Sequence, residues 1–268
     1  MNALPLAIVA FLAMAGAAAC GSLVARRLPE SFLGEPSIES LKAAMALVAT
    51  MTALILGLMV NSARYQYSDA EKDVHMYATT LMRMDIELTN FGGPACELRG
   101  PLRDFITHLL AQTWPKTDDA PVLTDARPAT ALLLDLTRKL SHLTPQNDVR
   151  ETLLSLGHQL LEYRWRISDY TSDRTPNTFI IAVIFWLALI YGNLGVFAPR
   201  TPLVLCGFLA AMVCIASAIF LVIEMNGPFT GQLRVPRAPF TEVLAFMGSE
   251  PCGTQAGASA APAGPGQN

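Results

Sequence analysis

This chain has 268 residues, of which 52% are hydrophobic and only 15% are charged, and its mean hydropathy is +0.37. A soluble globular protein carries more charge than this, so the composition indicates a membrane protein. The charges are also segregated, because 13 of the 19 Lys and Arg and 16 of the 22 Asp and Glu lie between Arg64 and Arg174. That middle segment must face water, and its net negative charge excludes a nucleic-acid-binding surface.

Four apolar stretches are long enough to cross a bilayer as helices, since a hydrocarbon core about 30 Å thick requires about 20 helical residues. They cover residues 4–24, 41–61, 179–198 and 203–225. Within them the charged residues are Lys42, at the start of the second span, and Glu224, near the end of the fourth. The short Pro199–Pro202 turn makes the last two spans an antiparallel hairpin.

The orientation follows from Lys and Arg near the ends of the spans, which concentrate on the cytoplasmic side. Seven such residues lie on the side of the termini and the middle segment, against four on the side of the two short loops. The sequence therefore predicts an all-α integral membrane protein with four transmembrane helices. These form two pairs that flank a cytoplasmic helical segment, and both termini are cytoplasmic.

The middle segment has apolar residues at helical spacing, which predicts four helices that each bury one face. Turn signals at Gly92-Gly93-Pro94 and Trp114-Pro115 end the first two, Pro128 begins the third and Thr144-Pro145 begins the fourth. Gly57 is the only Gly or Pro in residues 41–90. The second span is therefore predicted to continue into the first soluble helix, and Thr175-Pro176 to join the fourth soluble helix to the third span.

These elements predict five successive regions. They are a first transmembrane pair (1–62), a cytoplasmic helical stalk (63–176), a second transmembrane pair (177–226), a membrane-proximal turn with a short helix (227–248), and a disordered tail (249–268).

The chain lacks the sequence patterns of enzymes and cofactor sites. It has no Gly-rich phosphate loop, no GxSxG elbow and no nucleophile with a nearby base, so we expect neither catalysis nor a cofactor. The four His are scattered and the five Cys show no metal-ligand spacing, so neither a metal site nor a disulfide framework is expected.

The second span has small residues in steps of four, at Ala49, Ala53 and Gly57, followed by the polar Asn61. Such a stripe either admits a neighbouring helix at close range or leaves room for water in a pore. Asn61 and Arg64 are then either a polar pore mouth or ordinary residues of the membrane interface.

A second candidate site follows the last span, where Glu224 precedes a turn containing Pro228, Phe229 and Gly231. A carboxylate at membrane depth usually serves a function, but Glu224 lies about 33 Å of helix after Pro202 and so can also reach the interface. The turn is predicted to place one exposed aromatic side chain at the membrane surface.

Three segments resemble bacterial bestrophin-like domain proteins. They are LILGLMVNSA (54–63), IFWLALIYGNLGVFAPR (184–200) and FLVIEMNGPFTGQLRV (220–235). The resemblance implies kinship with bestrophins, which are pentameric ion channels with four membrane helices per subunit, a helical cytosolic body and both termini inside. It places this chain in the bacterial inner membrane. The Asn-Gly-Pro-Phe-Thr-Gly stretch resembles the Asn-Pro-Phe-Gly turn of bestrophins, with Gly227 inserted.

By the same resemblance the second span lines a pore, which bestrophins narrow with Phe. This span has no Phe, and Met51, Leu54 and Leu58 are its candidates for an apolar constriction. The first hypothesis is thus a homo-oligomer in lipid with an ion-conducting path along the second spans. The alternative is a non-conducting membrane scaffold or sensor whose cytoplasmic helices bind a partner.

Overall fold

A computed structural model describes residues 3–27, 35–114, 127–141, 147–172, 177–199 and 201–249. These residues form eight α-helices and a short 3₁₀ helix, and no β-strand occurs among them. The helices are α1 (Ala3–Ala25), α2 (Glu35–Phe91), the 3₁₀ helix (Gly93–Leu98), α3 (Arg99–Thr113), α4 (Arg127–Ser141), α5 (Asn147–Ser172), α6 (Asn177–Phe197), α7 (Pro202–Met225) and α8 (Ala238–Ser249).

Four of these helices are long and apolar enough to cross a membrane, namely α1, α2, α6 and α7. They correspond to the four spans predicted from the sequence, and α6 ends one residue before the predicted end of the third span. The prediction of one continuous second helix is also confirmed, because α2 runs for 57 residues. It ends at the expected glycine, since Gly92 has a φ of 66°, a conformation that glycine adopts without the strain of a side chain.

The chain divides into two compact units. The membrane unit comprises Met1–Asp69 and Asp173–Arg234, and the soluble unit comprises Ala70–Ser172 and Val235–Asn268. All four apolar helices contribute to the membrane unit, and α2 contributes residues to both units.

In the membrane unit, α1 packs more extensively on α6 than on α7. The contact with α6 is close because glycines lie at it. A Cβ added to Gly21 would lie 2.9 Å from the carbonyl carbon of Gly192, and one added to Gly195 would lie 2.9 Å from the carbonyl carbon of Ala18. Backbones can approach this closely only where side chains are absent, so these two glycines define the α1–α6 crossing.

The turn between α6 and α7 ends in a capped helix start. Thr201 is the N-cap of α7, and its Oγ1 accepts a hydrogen bond from the Val204 N–H at 3.4 Å. Pro202 occupies the first helical turn, where its missing N–H costs nothing.

The soluble unit has an aromatic core centred on Tyr77 of α2. The Tyr77 ring stacks on Tyr163 with centroids 5.9 Å apart, lies 6.5 Å from Phe105 and meets Phe240 edge-on at 5.5 Å. The short helix predicted after the last span is α8, and its Phe240 is fully buried in this core. Trp114 extends the cluster and donates its indole N–H to the Val235 carbonyl at 2.8 Å.

A buried ion pair joins three elements of the same unit. Arg99, at the start of α3, makes two bonds to Asp85 of α2, of 2.6 and 2.8 Å, and Nη2 also donates to the Met247 carbonyl of α8 at 3.2 Å. Asp85 is only 1% exposed. This bidentate pair gives each charge an opposite, hydrogen-bonded charge, which is the condition for burying both of them.

The predicted soluble helices correspond to the end of α2 and to α3, α4 and α5. Each of them buries leucines, including Leu81, Leu102, Leu136 and Leu160. One expectation is wrong, because Cys96 in the 3₁₀ helix is disulfide-bonded. Cys20, Cys206 and Cys214 are free. The predicted start at Thr144-Pro145, the joint at Thr175-Pro176 and the tail from residue 250 onward lie outside the described residues.

Candidate membrane site on the second span

The second span is the least covered of the four within one chain. Only 6% of its most apolar window is buried, against 22% in each of the other three spans. One face of α2 does contact the bundle, since Ile55, Leu56 and Met59 pack against the core formed by α1, α6 and α7. The opposite face is therefore open to whatever surrounds the chain.

The small-residue stripe predicted from the sequence lies largely on the open side. Ala53, Gly57 and Asn61 are exposed, and Ala49 is half-buried. No atom of the described residues lies within 4 Å of a Cβ added to Gly57. Packing against another helix of the same chain is thus not the role of this glycine.

Apolar side chains accompany the stripe on the open face. Met51, Leu54 and Leu58, which are 57%, 66% and 60% exposed, were the sequence candidates for a constriction. Exposure in one chain is compatible with lipid contact or with contact between copies, because both surroundings are apolar. The polar end of the stripe is different, since Asn61 and Arg64 are both exposed there.

The buried Thr52 hydroxyl of α2 has a hydrogen-bond partner within its own helix. Thr52 is 3% exposed, and its Oγ1 donates to the Val48 carbonyl at 2.7 Å. A buried hydroxyl in a span needs such a partner, and the carbonyl one helical turn earlier provides it.

Glu224, at the end of α7, holds the turn that follows. Its side chain is buried, and its Oε1 accepts hydrogen bonds from the backbone N–H groups of Gln232 and, at 3.2 Å, Leu233. The sequence singled out Glu224 but not these donors, which carry no side-chain signature. The carboxylate thus has a structural use in the closed turn.

The other three residues of this second candidate site, Pro228, Phe229 and Gly231, are part of the same turn. Pro228 is buried and Phe229 is only 1% exposed, so the prediction of an exposed aromatic side chain at this turn is wrong. Gly231 has a φ of +80°, and a Cβ there would meet the Glu224 carboxyl group, with the carboxyl carbon 2.7 Å away. Glycine is therefore required twice over at position 231, for its backbone conformation and for the approach of Glu224.

The described residues contain no group of three or more His, Cys, Asp or Glu that could hold a metal ion. One cavity of about 560 Å³ lies in the membrane unit, lined by residues of α1, α6, the turn and α7 that include Ala18, Gly195 and Phe208. No charged side chain lines it, so its surface offers an ion little to replace water.

Comparison with known proteins identifies the family of this chain. The Bestrophin-like domain matches residues 9–240. The chain belongs to the Bestrophin-like family. Among curated proteins, none matches this chain.

Solved structures share the Bestrophin-like fold of this chain. A crystal structure of a bacterial bestrophin homologue from Klebsiella pneumoniae has a TM-score of 0.63 at 15% identity, and the match covers 91% of this chain and 96% of that one. A point variant of that homologue gives 0.68 at 13% identity, covering 91% and 99%. A crystal structure described only as a membrane protein variant gives 0.65 at 14%, covering 92% and 99%.

The chain is therefore a Bestrophin-like membrane protein, and its resemblance extends through α2, α6, α7 and the turn after α7. The match covers both candidate sites, namely the stripe on α2 and the turn containing Phe229.

Proposed function

We propose that this Bestrophin-like protein forms a homo-oligomer in the lipid membrane and conducts ions along a path lined by its second spans. The open face of α2 carries this proposal, because Ala53, Gly57 and Asn61 are uncovered in a single chain while the other spans are better packed. No catalytic chemistry is invoked.

A path along α2 requires several copies. An ion crossing a bilayer must be surrounded by polar groups or water, and one exposed helix face provides a wall on one side only. Copies arranged around an axis would place the open α2 faces opposite one another. Their small residues would leave room for water, Asn61 would form a polar end, and Leu54 and Leu58 would narrow the path.

The fold of the Klebsiella pneumoniae bestrophin homologue supports the same arrangement. Bestrophins, which the sequence segments resemble, are pentameric channels, and by that analogy the second span is central. The absence of Phe from residues 41–61 makes the apolar narrowing here aliphatic. An aliphatic ring of Leu and Met gates by excluding water rather than by presenting aromatic edges.

The direct test is ion flux through purified protein in liposomes, together with its subunit count in the same detergent extract. The proposal expects a closed oligomer of several subunits and a flux that depends on protein. A folded oligomer that passes no anion or cation at any voltage or pH would overturn conduction.

We also propose that the termini and residues 63–176 are cytoplasmic, on the strength of the basic asymmetry. The Cys96 disulfide points to the opposite side, because disulfides persist in oxidising compartments. Single cysteines in a cysteine-free background distinguish the two placements in intact cells. We expect an impermeant thiol reagent to label positions in residues 29–40 but not in residues 69–173. The reverse pattern would invert the topology.

A scaffold or sensor is the second candidate, favoured by apolar side chains on the surface of the soluble unit. Trp165 is 60% exposed, and Met76 and Leu134 are also exposed. Exposed aromatic and aliphatic groups of this kind are typical of partner-binding surfaces. A dimer without flux, which loses a bound partner on Trp165→Ala, is the outcome that would favour this function.

A further inference from the structure

Arg164, on α5 of the soluble unit, is a buried cation that forms no ion pair with the residues that the structure describes. Its side chain is 1% exposed. Nη2 donates to the Gln112 Oε1 at 3.4 Å, whereas Nε and Nη1 have no hydrogen-bond partner among the described residues. The ion pairs seen in this unit use Arg99, Lys139 and Arg166 instead.

The Tyr77 hydroxyl is a second buried donor in the same core. It too has no hydrogen-bond partner in the described part of the chain, although its ring is fixed by three other aromatic rings. Burial raises the pKa of Tyr77, and the Arg164 charge lowers it in part. The phenol therefore stays protonated at neutral pH and acts as a donor. The pKa of Arg164 is lowered by burial and raised by Tyr77.

Thr113, the last residue of α3, adds a second hydroxyl of the same kind. Its Oγ1 is buried and has no partner among the residues described. Thr113 follows Gln112, the residue that Arg164 reaches. Among the described residues, the one acceptor that the guanidinium contacts is the Gln112 amide oxygen.

Buried donors without partners are rare, and a buried charge without one is strongly unfavourable. Arg99 shows how the same unit meets this requirement elsewhere, with two bonds to Asp85. A site composed of a guanidinium whose Nε and Nη1 are unused, together with hydroxyls, matches the needs of a bound anion, which accepts from every side.

We propose that Arg164 and Tyr77 bind a small inorganic anion of the halide class, with Thr113 as a further donor. A small ion is favoured because the donor atoms are almost fully buried, so that the ligand must shed its water. The anion completes the core of the soluble unit by neutralising Arg164. This site is independent of any ion path along α2.

The test is the thermal melting of the full-length protein in detergent, titrated with sodium bromide against sodium gluconate at constant ionic strength. The wild-type melting temperature should rise with bromide and saturate as a single site does. Tyr77→Phe keeps the ring and removes only the hydroxyl. It should raise the half-saturating bromide concentration by roughly tenfold, the loss expected of one hydrogen bond to a charged group. Arg164→Met should abolish the dependence.

Arg166→Met is the matched control, because Arg166 lies two residues along α5, is 54% exposed and pairs with Glu162. It should retain the wild-type bromide dependence. Crystals grown in bromide should show an anomalous peak beside the Arg164 guanidinium. A melting temperature that responds equally in wild type, Tyr77→Phe and Arg166→Met, with no anomalous peak, would overturn the proposal and assign the donors to ordered water.

Discussion

Two helix surfaces in the membrane unit carry small residues, and their surroundings are opposite. At the α1–α6 crossing, Gly21 and Gly195 lie so close to backbone atoms that a Cβ could not be added without movement. On α2, a Cβ at Gly57 would have nothing within 4 Å among the described residues. The α1–α6 surface packs helix against helix within the chain, whereas the α2 surface contacts no other helix of the chain at Gly57.

This difference reduces the number of roles that the α2 stripe can have. Small residues in steps of four are ambiguous in a sequence, because helix packing and pore lining both require them. The structure removes packing within the chain from the choice for Gly57. Contact between copies and lining of a path would both place α2 at the surface where copies meet, whereas lipid contact would not.

The largest loss of stability should come from a bulky side chain at the close α1–α6 crossing. Gly21→Leu would place a branched side chain against the backbone of Gly192, and we expect loss of folded protein, beyond the usual overpacking cost of about 1–3 kcal/mol. Yield and melting temperature in detergent are the measurements. Gly16→Leu is the control on the same helix, because a Cβ there meets nothing within 4 Å. Equal behaviour of the two variants would contradict the close crossing.

The same contrast between covered and uncovered side chains applies to the turn after α7. Phe229 is 1% exposed, whereas Leu233 is 40% exposed. Phe229→Ala should therefore destabilise the protein by roughly 3 kcal/mol through the cavity it leaves and weaken assembly. Leu233→Ala should change stability little. Unchanged melting and subunit count in Phe229→Ala would show that the ring only lies in the membrane interface.

A smaller effect is expected at Glu224, whose carboxylate accepts two backbone N–H groups. Glu224→Ala leaves those donors without their partner and should cost about 2 kcal/mol. Glu224→Gln keeps an acceptor oxygen and should lose less. If Glu224 instead served the ion path, Glu224→Gln would alter flux at unchanged stability, which liposome assays on the same preparations would reveal.

Much of the membrane architecture was predictable because lipid imposes simple rules on sequence. Apolar stretches of fixed length located α1, α2, α6 and α7, and the lack of Gly and Pro after Gly57 predicted that α2 continues beyond the span. Helical spacing of leucines likewise predicted α3, α4 and α5. These signals are local, so one sequence is sufficient to read them.

Contacts between distant segments were not predictable in the same way. Helical spacing predicted that Tyr77 lies on the buried stripe of its helix, but not that its hydroxyl would lack a partner among the described residues. Nothing in the sequence near Arg164 distinguishes that side chain from a surface residue, yet folding buries it. The hydrogen bonds from Gln232 and Leu233 to Glu224 involve backbone donors, which every residue has. The disulfide at Cys96 was missed because it has no CxxC spacing. Such features depend on tertiary placement rather than on local pattern.

The central claim is that the open α2 face lies where copies meet and lines an ion path. Gly57→Leu tests it most directly, because little is displaced within one chain and the change in stability should be below about 0.5 kcal/mol. Subunit count and liposome flux must be measured on one preparation, with Asn61→Leu alongside. The account predicts an intact oligomer with strongly reduced flux, because leucines meeting at the axis favour loss of water. An intact Gly57→Leu oligomer that conducts as well as the wild type would contradict it.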